Sequence, residues 1–363
     1  MNPLPDLPAV PFLPGSEEGG QPLPAGWSAA PPAAADVAAL HALLQRHESV
    51  ARGWSSAGPA EVEVEVTGPG AAVRRHLQVR DDSGSVRAWG SVHDRAAGRV
   101  LVSVVVDPDL EPPLADTLAA GLFAWAERGA EDLAGERGLE STQLDSGAFA
   151  SDARQQRWLA AAGFDRTRTW FQMSRPVTQL DEEPPAQSHP DLRVRRVARA
   201  ADGMPDEDDL RTMHEVLEEA FTDHFNYHPE TFAEFLARLR EDPGHRWDHW
   251  WIAELTDGPE GSVRPAGALV GTVLPGAGTG PDGSYVAYLG VLRSARGRGA
   301  AKSLLHAVIS DAARRGRDRV GLEVDADSPT GAVDLYAAMG FRTAYVTESW
   351  HRDLVLGART GRA

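Results

Sequence analysis

The sequence predicts an α/β protein (a mixed sheet of the α+β kind) built as two tandem modules, each a mostly antiparallel twisted sheet flanked by helices. Three observations carry this. Strand-like and helix-like periodicities alternate along most of the chain, a proline- and acid-rich break at 176–190 separates two such regions, and one segment recurs in both. The recurring segment is Trp158-Leu-Ala-Ala-Ala-Gly-Phe164 against Leu335-Tyr-Ala-Ala-Met-Gly-Phe341, which reads as an internal duplication.

The domain reading follows. Residues 1–34, rich in Pro, Ala and Gly, are expected to form a flexible tail, 35–177 a first module, 178–190 a linker and 191–363 a second module. In the second, 192–197 alternates as a strand, and helices are expected over 206–221 and 229–241. Strands follow at 250–255, 266–274 and 285–292. Ala301, Leu304, Leu305, Val308 and Ala312 then share one helical face. Residues 320–324 read as a buried strand. Ala332, Leu335, Tyr336 and Met339 make one face of a further helix, for which Ser328 and Pro329 supply a cap and a first-turn proline, and 341–356 is again strand-like. The first module repeats the plan, with a helix near 36–51, strands near 61–67, 73–80, 85–93 and 99–106, a helix at 113–128, then strand, helix and strand.

Composition narrows the function. The 363 residues contain no Cys, which excludes disulfides, thiolate metal sites and thiol nucleophiles. A net charge of −17 argues against a general nucleic-acid binder, because neutralising phosphates needs a basic face. No run approaches the roughly 20 apolar residues of a membrane span, and the first residues lack the basic start and unbroken apolar core of a signal peptide. A cytoplasmic protein with no membrane or nucleic-acid partner is expected. Lys302 is the one lysine among 36 basic residues, a bias read together with abundant Ala, Gly and Pro as the mark of a GC-rich genome.

The sharpest chemical feature is Arg296-Gly-Arg-Gly-Ala-Ala301, which leaves a strand and opens a helix. A helix N-terminus presents unpaired N–H groups and a positive dipole end, and glycine leaves the backbone open to an approaching pyrophosphate. Around it Arg293, Arg296, Arg298, Lys302, Arg314, Arg315, Arg317 and Arg319 face only Asp311 and Asp318, a local reversal of sign in an acidic chain. The bland alternative is a solvated, arginine-laced helix.

With those residues in view, the second module resembles the GNAT superfamily of acetyl-CoA-dependent N-acetyltransferases. Their Arg/Gln-x-x-Gly-x-Gly/Ala signature is matched from Arg296 to Ala301, and 321–341 resembles the family's last strand, loop and helix. The tandem layout is similar to mycothiol synthase-like actinobacterial proteins, although 221–250 differs. The resemblance implies acetyl-CoA as co-substrate and no metal. It implies that Arg296 and the amides of Arg298, Gly299, Ala300, Ala301 and Lys302 hold the pyrophosphate, that the backbone of Leu289 to Val291 pairs with the pantetheine arm, and that Tyr336 reprotonates the departing thiolate. Ser328 stands where many members carry Asn, and Tyr285 stands where many carry the base, so Glu323 or Asp325 is left as the candidate base. His224, Tyr227, His228 and Tyr285 are expected to line the acceptor pocket. The spacing of His224 and His228 would also suit a metal pair, but no third ligand is evident and Pro229 follows directly.

The first module reads as a degenerate copy. Where a phosphate loop should follow 104–106, residues 107–116 carry four acids, three prolines, no glycine and no base, and Leu159 stands opposite Tyr336. The expected activity is transfer of acetyl to a primary amine of a small molecule, cationic acceptors being favoured by an acidic chain. Alternatives are acetylation of a protein N-terminus or lysine, or a non-catalytic acyl-CoA-binding protein. The two modules would stand in for a dimer and leave the chain a monomer.

Overall fold

The computed structural model describes residues 12–13, 21–95, 99–185, 189–199, 201, 204–222, 229–240, 245–257, 262–276, 280–328 and 330–356. They fall into two compact units, one of Met1–Trp170 with Tyr345–Ala363 and the other of Phe171–Ala344.

The first unit begins with the short pair β1 (Phe12–Leu13) and β2 (Gln21–Pro22), followed by β3 (Ser28–Ala30). Residues 1–34 were expected to be a tail, yet β3 pairs with β4 (Arg74–Arg80) and Ala29 is fully buried. Helix α1 (Val37–Arg52) ends on Gly53 in the left-handed conformation. The Glu-Val alternation of 61–67 suggested a strand, but these residues form helix α2 (Pro59–Val66). Pro59 occupies the first helical turn, and the Gly58 amide donates to Glu61 at 3.3 Å. Val62 and Val66, four apart, pack toward Leu40 and Leu43 of α1, a helical face that outweighs the period of two.

Strands β5 (Val86–Arg95) and β6 (Arg99–Val106) continue the antiparallel ladder. Then come α3 (Pro112–Glu136), β7 (Ser141–Phe149), α4 (Ala153–Ala161) and β8 (Asp165–Pro176). The chain's last strand, β14 (Arg342–Val355), belongs mainly to this unit: Thr347–Val355 pairs antiparallel with Ser141–Phe149. The strand order of the unit is β3-β4-β5-β6-β7-β14-β8. One core joins α3 and α4 to one face, through Leu118, Leu122 and Leu159 against Val100, Val102 and Leu144. Another sets α1 and α2 against Val86, Trp89 and Val105.

The second unit takes the Phe171–Pro176 end of β8 and adds β9 (Leu192–Arg196), α5 (Glu207–Phe221), α6 (Phe232–Arg240), β10 (His245–Leu255), β11 (Arg264–Leu274), β12 (Gly283–Val291), α7 (Ala300–Arg314), β13 (Arg319–Asp325) and α8 (Ala332–Ala338). Its order is β8-β13-β12-β11-β10-β9, antiparallel except for β12 against β13. Leu304, Leu305 and Val308 of α7 and Tyr336 of α8 pack on one face, and Met213, Leu217 and Phe235 of α5 and α6 on the other. The mixed, mostly antiparallel sheet flanked by helices is as the sequence predicted. No helix among the described residues is long and apolar enough to cross a membrane.

Candidate active site

The site is built where two parallel neighbours part. Strands β12 and β13 are bonded only at Ser284↔Val320, Tyr285↔Gly321 and Val286↔Leu322, although β12 continues to Val291 and β13 to Asp325. Between Ala287–Val291 and Glu323–Asp325 a wedge therefore opens, edged by backbone groups that lack a sheet partner on that side. A bulge starts the divergence. On the β11 side Tyr288 faces Val270 and Val286 faces Gly271, which leaves Ala287 unmatched. Beyond it Leu289 and Val291 pack into the α7 layer. Gly290 lies so close to α5 that a Cβ would come within 2.9 Å of the Ala220 methyl group.

Beyond β12, Arg293–Ala295 makes a single tight turn and buries Ala295. Gly297 and Gly299 then take φ of 78° and 82°, the left-handed region in which a side chain is strained. The Ser303 amide donates to the Gly299 carbonyl at 2.9 Å, so the amides of Ala300, Ala301 and Lys302 precede the first closed helical ring of α7. A Cβ on Gly297 would meet nothing within 4 Å, so the loop is open at that glycine. Arg296 and Lys302 are exposed. The Arg298 side chain turns to Asp257, which also receives Arg264 at 2.8 and 3.1 Å, so only its backbone is directed to the loop. Those hydrogen bonds, Arg264's first, hold the Asp257 carboxyl below its usual range.

Glu323 sits on the wedge-lining end of β13. Val320, Leu322 and Val324 point into the α7–α8 core, so by alternation Glu323 points to the opposite face. Tyr285 shares that face, its ring 3.2 Å from where a Cβ on Gly321 would lie. Loss of hydration raises the Glu323 carboxyl above its ordinary value, and a hydrogen bond donated by Gln172 Nε2 partly opposes this. Tyr336 packs on the α7 side at 6.0 Å from Phe341, and burial pushes its phenol up to about 12. Its hydroxyl has no hydrogen-bond partner among the described residues.

Residues 210–341 match the model of the acetyltransferase (GNAT) family. Those residues form a GNAT acetyltransferase domain. The chain is similar along its length to a GCN5-related N-acetyltransferase from Sphaerobacter thermophilus, with 26% identity over 92% of this chain and 98% of that one and a TM-score of 0.69. A tandem GNAT protein of the clavulanic acid biosynthesis pathway shares the fold at 15% identity, 91% and 99% coverage and a TM-score of 0.66. So does a Saccharomyces cerevisiae N-myristoyltransferase solved with myristoyl-CoA, at 11% identity, 91% and 83% coverage and a TM-score of 0.55. No curated protein sequence matches the chain. The GNAT domain makes the protein an acyltransferase, of a family that uses acyl-CoA.

Within the GNAT domain, Leu289 and Val291 lie on the end of β12 beyond its bonding to β13, Gly299–Lys302 lie at the start of α7, Glu323 lies on the corresponding end of β13, and Tyr336 packs in the α7–α8 core. Ser328 does not cap α8. That helix starts at Ala332 with Gly331 as its cap, and Ser328 Oγ is bonded to Thr330 Oγ1 at 2.8 Å. The glycine provides the turn that a serine cap was expected to make. His224, Tyr227 and His228 lie outside the described residues.

Two partners escaped the sequence reading. Gln172 is one of many polar residues in β8, and only the strand order brings it beside Glu323. Tyr288 faces the α5–α6 layer because of the bulge. Its hydroxyl accepts from Arg238, which Glu230 binds through both carboxylate oxygens at 2.8 and 2.7 Å.

The first unit has the wedge without the loop. Strands β6 and β7 are bonded only at Arg99↔Gln143, Val100↔Leu144 and Leu101↔Asp145, although β6 runs on to Val106. Its helix α3 opens on Pro112 and Pro113, which carry no N–H. Asp107 ahead of it is buried and held by Arg46 at 2.9 Å and Arg87 at 3.3 Å.

Proposed function

We propose that the protein transfers the acetyl group of acetyl-CoA to a primary amine of a small molecule in the cytoplasm, by direct attack of the amine on the thioester. The observation that carries this reading is the wedge between β12 and β13 leading straight to the open amides of α7. The residues fit the co-substrate. Three helix-terminal N–H groups and the bare backbone of Gly297 and Gly299 suit a pyrophosphate, and the unpaired edge of Leu289–Val291 suits an extended amide-bearing arm. Acetyl-CoA bound there would supply the activated acyl carbon.

The chain's own groups divide the remaining work. The backbone N–H groups along Leu289–Val291 would hold the acyl oxygen and stabilise charge developing on it. Glu323, with its carboxyl raised above the ordinary value, would take the proton that the amine must lose. Tyr336 remains protonated throughout the physiological range, so its hydroxyl is a standing donor toward departing sulfur. Glu323 and Tyr336 lie on opposite faces of β13, an arrangement that lets amine and thiol use separate sides of the wedge. Tyr285 would line the acceptor side, together with His224, Tyr227 and His228. We extend the proposal to a monomeric enzyme with one acetyl-CoA site, in the second unit.

The absence of cysteine makes the test clean, since a thiol reagent will report released CoA and nothing from the protein. Acetyl-CoA is supplied with a panel of primary amines and thiol release is followed. Release that depends on one class of amine supports the reading. Saturable acetyl-CoA binding with no release above the hydrolytic background would replace it with a non-catalytic acyl-CoA-binding function.

A further inference from the structure

A cavity runs along the outer face of α7, from Lys302 in its first turn to Arg314 in its last. It has a volume of about 740 Å³, enough for a ligand of nucleotide size. Lys302, His306, Ser310 and Arg314, spaced four apart, form its stripe along the helix, and Arg175 and Arg196 stand at its sides. Pro184 and Pro185 of the segment between β8 and β9 form part of the wall. That segment is fastened to α7, because Ser310 Oγ and Arg314 both donate to the Glu182 carbonyl, at 2.5 and 2.7 Å.

The positive charge of this groove is poorly compensated. Arg314 meets only a neutral carbonyl, and Lys302 has no acidic partner among the described residues. Arg196 shares Asp311 with Arg315 and His249, and its side chain is still 44% exposed. Arg175 alone has a carboxylate to itself, Asp181 at 2.6 Å. His306 has no hydrogen-bond partner among the described residues, and burial followed by the charges of Lys302 and Arg175 lowers its pKa, which keeps it neutral. A chain of net charge −17 thus concentrates cations and an unengaged imidazole around one cavity.

We propose that the His306–Arg314 end of this groove is a second anion site, for a compact phosphate compound with two or more negative charges and distinct from the cofactor wedge. The proposal stands independently of the acetyl-transfer reading. Lys302 is shared with the first turn, but Arg314 lies twelve residues, about 18 Å, farther along α7, beyond a pyrophosphate held by the amides of that turn. Arginine suits phosphate through its paired donors, and the neutral imidazole of His306 adds a hydrogen bond without a buried charge. The apolar floor, Trp251 and Met339, is itself buried and offers little face for a ring to stack on, so charge is the main determinant of binding.

The test uses the full chain saturated with CoA, titrated with inorganic tripolyphosphate and followed by the imidazole NMR signals, that of His306 being assigned by its loss in His306→Gln. A saturable shift of the His306 signal is expected. Binding should weaken about tenfold in Arg314→Gln, the loss of one charge-assisted contact, and more in His306→Glu, where a negative charge enters the groove. Acetyl-CoA affinity should be unchanged in both variants. Mutual displacement of tripolyphosphate and CoA would overturn the proposal by assigning the anion to the wedge. So would an unmoved His306 signal, or binding that neither variant weakens.

Discussion

Gly299→Glu tests the site at its narrowest point. Gly299 precedes α7 with φ of 82°, a conformation that costs a residue with a side chain about 1–2 kcal/mol. A carboxylate at a helix N-terminus returns about 0.3–1 kcal/mol, so the net loss of stability should be about 1 kcal/mol. For a unit of this size that lowers the Tm by roughly 2–4 °C. The effect on binding is far larger, because the carboxylate would stand among the amides of Ala300–Lys302. Two unit charges about 4 Å apart at the protein surface interact by about 4 kcal/mol, close to three decades in Kd. Calorimetric titration with acetyl-CoA beside a thermal melt separates the two effects. The expected result is one site per chain in the parent protein and a Kd about 10³-fold weaker in the variant, with a nearly normal melt. A variant that melts normally and binds within threefold of the parent would refute the assignment of the α7 terminus as the pyrophosphate site.

Other expectations follow from the same geometry. Tyr336→Phe removes a hydroxyl that has no partner among the described residues, so stability should hold while kcat falls by about 10²-fold, at the low end for a lost general acid; an unchanged kcat in single-turnover measurements removes Tyr336 from the mechanism. Glu323 must be ionised to accept a proton, so kcat/KM should rise with pH through a pKa above the ordinary carboxyl value. Gln172→Leu deletes the bond that favours the ionised form, and the rising limb should move to higher pH; a limb that stays in place excludes Gln172 from positioning Glu323. The folded state holds this carboxyl's proton more tightly than the unfolded state does, so its ionisation costs stability as pH rises through the raised pKa. Glu323→Gln should therefore melt at or above the parent temperature at pH 8. Asp311→Ala leaves His249, bonded at 2.8 Å, and Arg315, bonded at 2.7 Å, without their buried partner. A loss of about 3–5 kcal/mol is expected from urea unfolding, and a loss below about 1 kcal/mol would show that the cluster is solvated.

Much of this arrangement can be read from the sequence, and the limits have physical causes. Helix α7 is legible because its apolar residues keep helical spacing, and its loop because glycine, arginine and a small residue stand between a strand and a helix. Helix α2 is misread because Glu-Val repeats satisfy a period of two, and only the proline start and the presence of α1 decide for a helix. The Tyr288–Arg238 contact depends on a bulge at Ala287 that no local pattern announces. Gln172 meets Glu323 across a strand order in which β8 adjoins β13, information carried by topology alone. Ser328 was a sound cap by residue type, but Gly331 makes the turn at φ of 70° three residues later.

The two wedges show what fold alone does not determine. In both units a parallel pair stops bonding after three residue pairs, so the opening is a consequence of strand register, with a bulge added in the second unit, rather than of any ligand-binding side chain. The second unit follows it with glycines and free amides. The first follows it with prolines and with Asp107, a buried carboxylate already paired to two arginines. A pyrophosphate offered to the first unit would meet like charge and missing donors. The opening persists there because the surrounding antiparallel ladders and helices maintain it, while the chemistry that would use it resides in about ten residues of loop. The same opening thus occurs in the first unit without the loop that would use it, and the single acetyl-CoA site per chain expected from calorimetry rests on that loop alone.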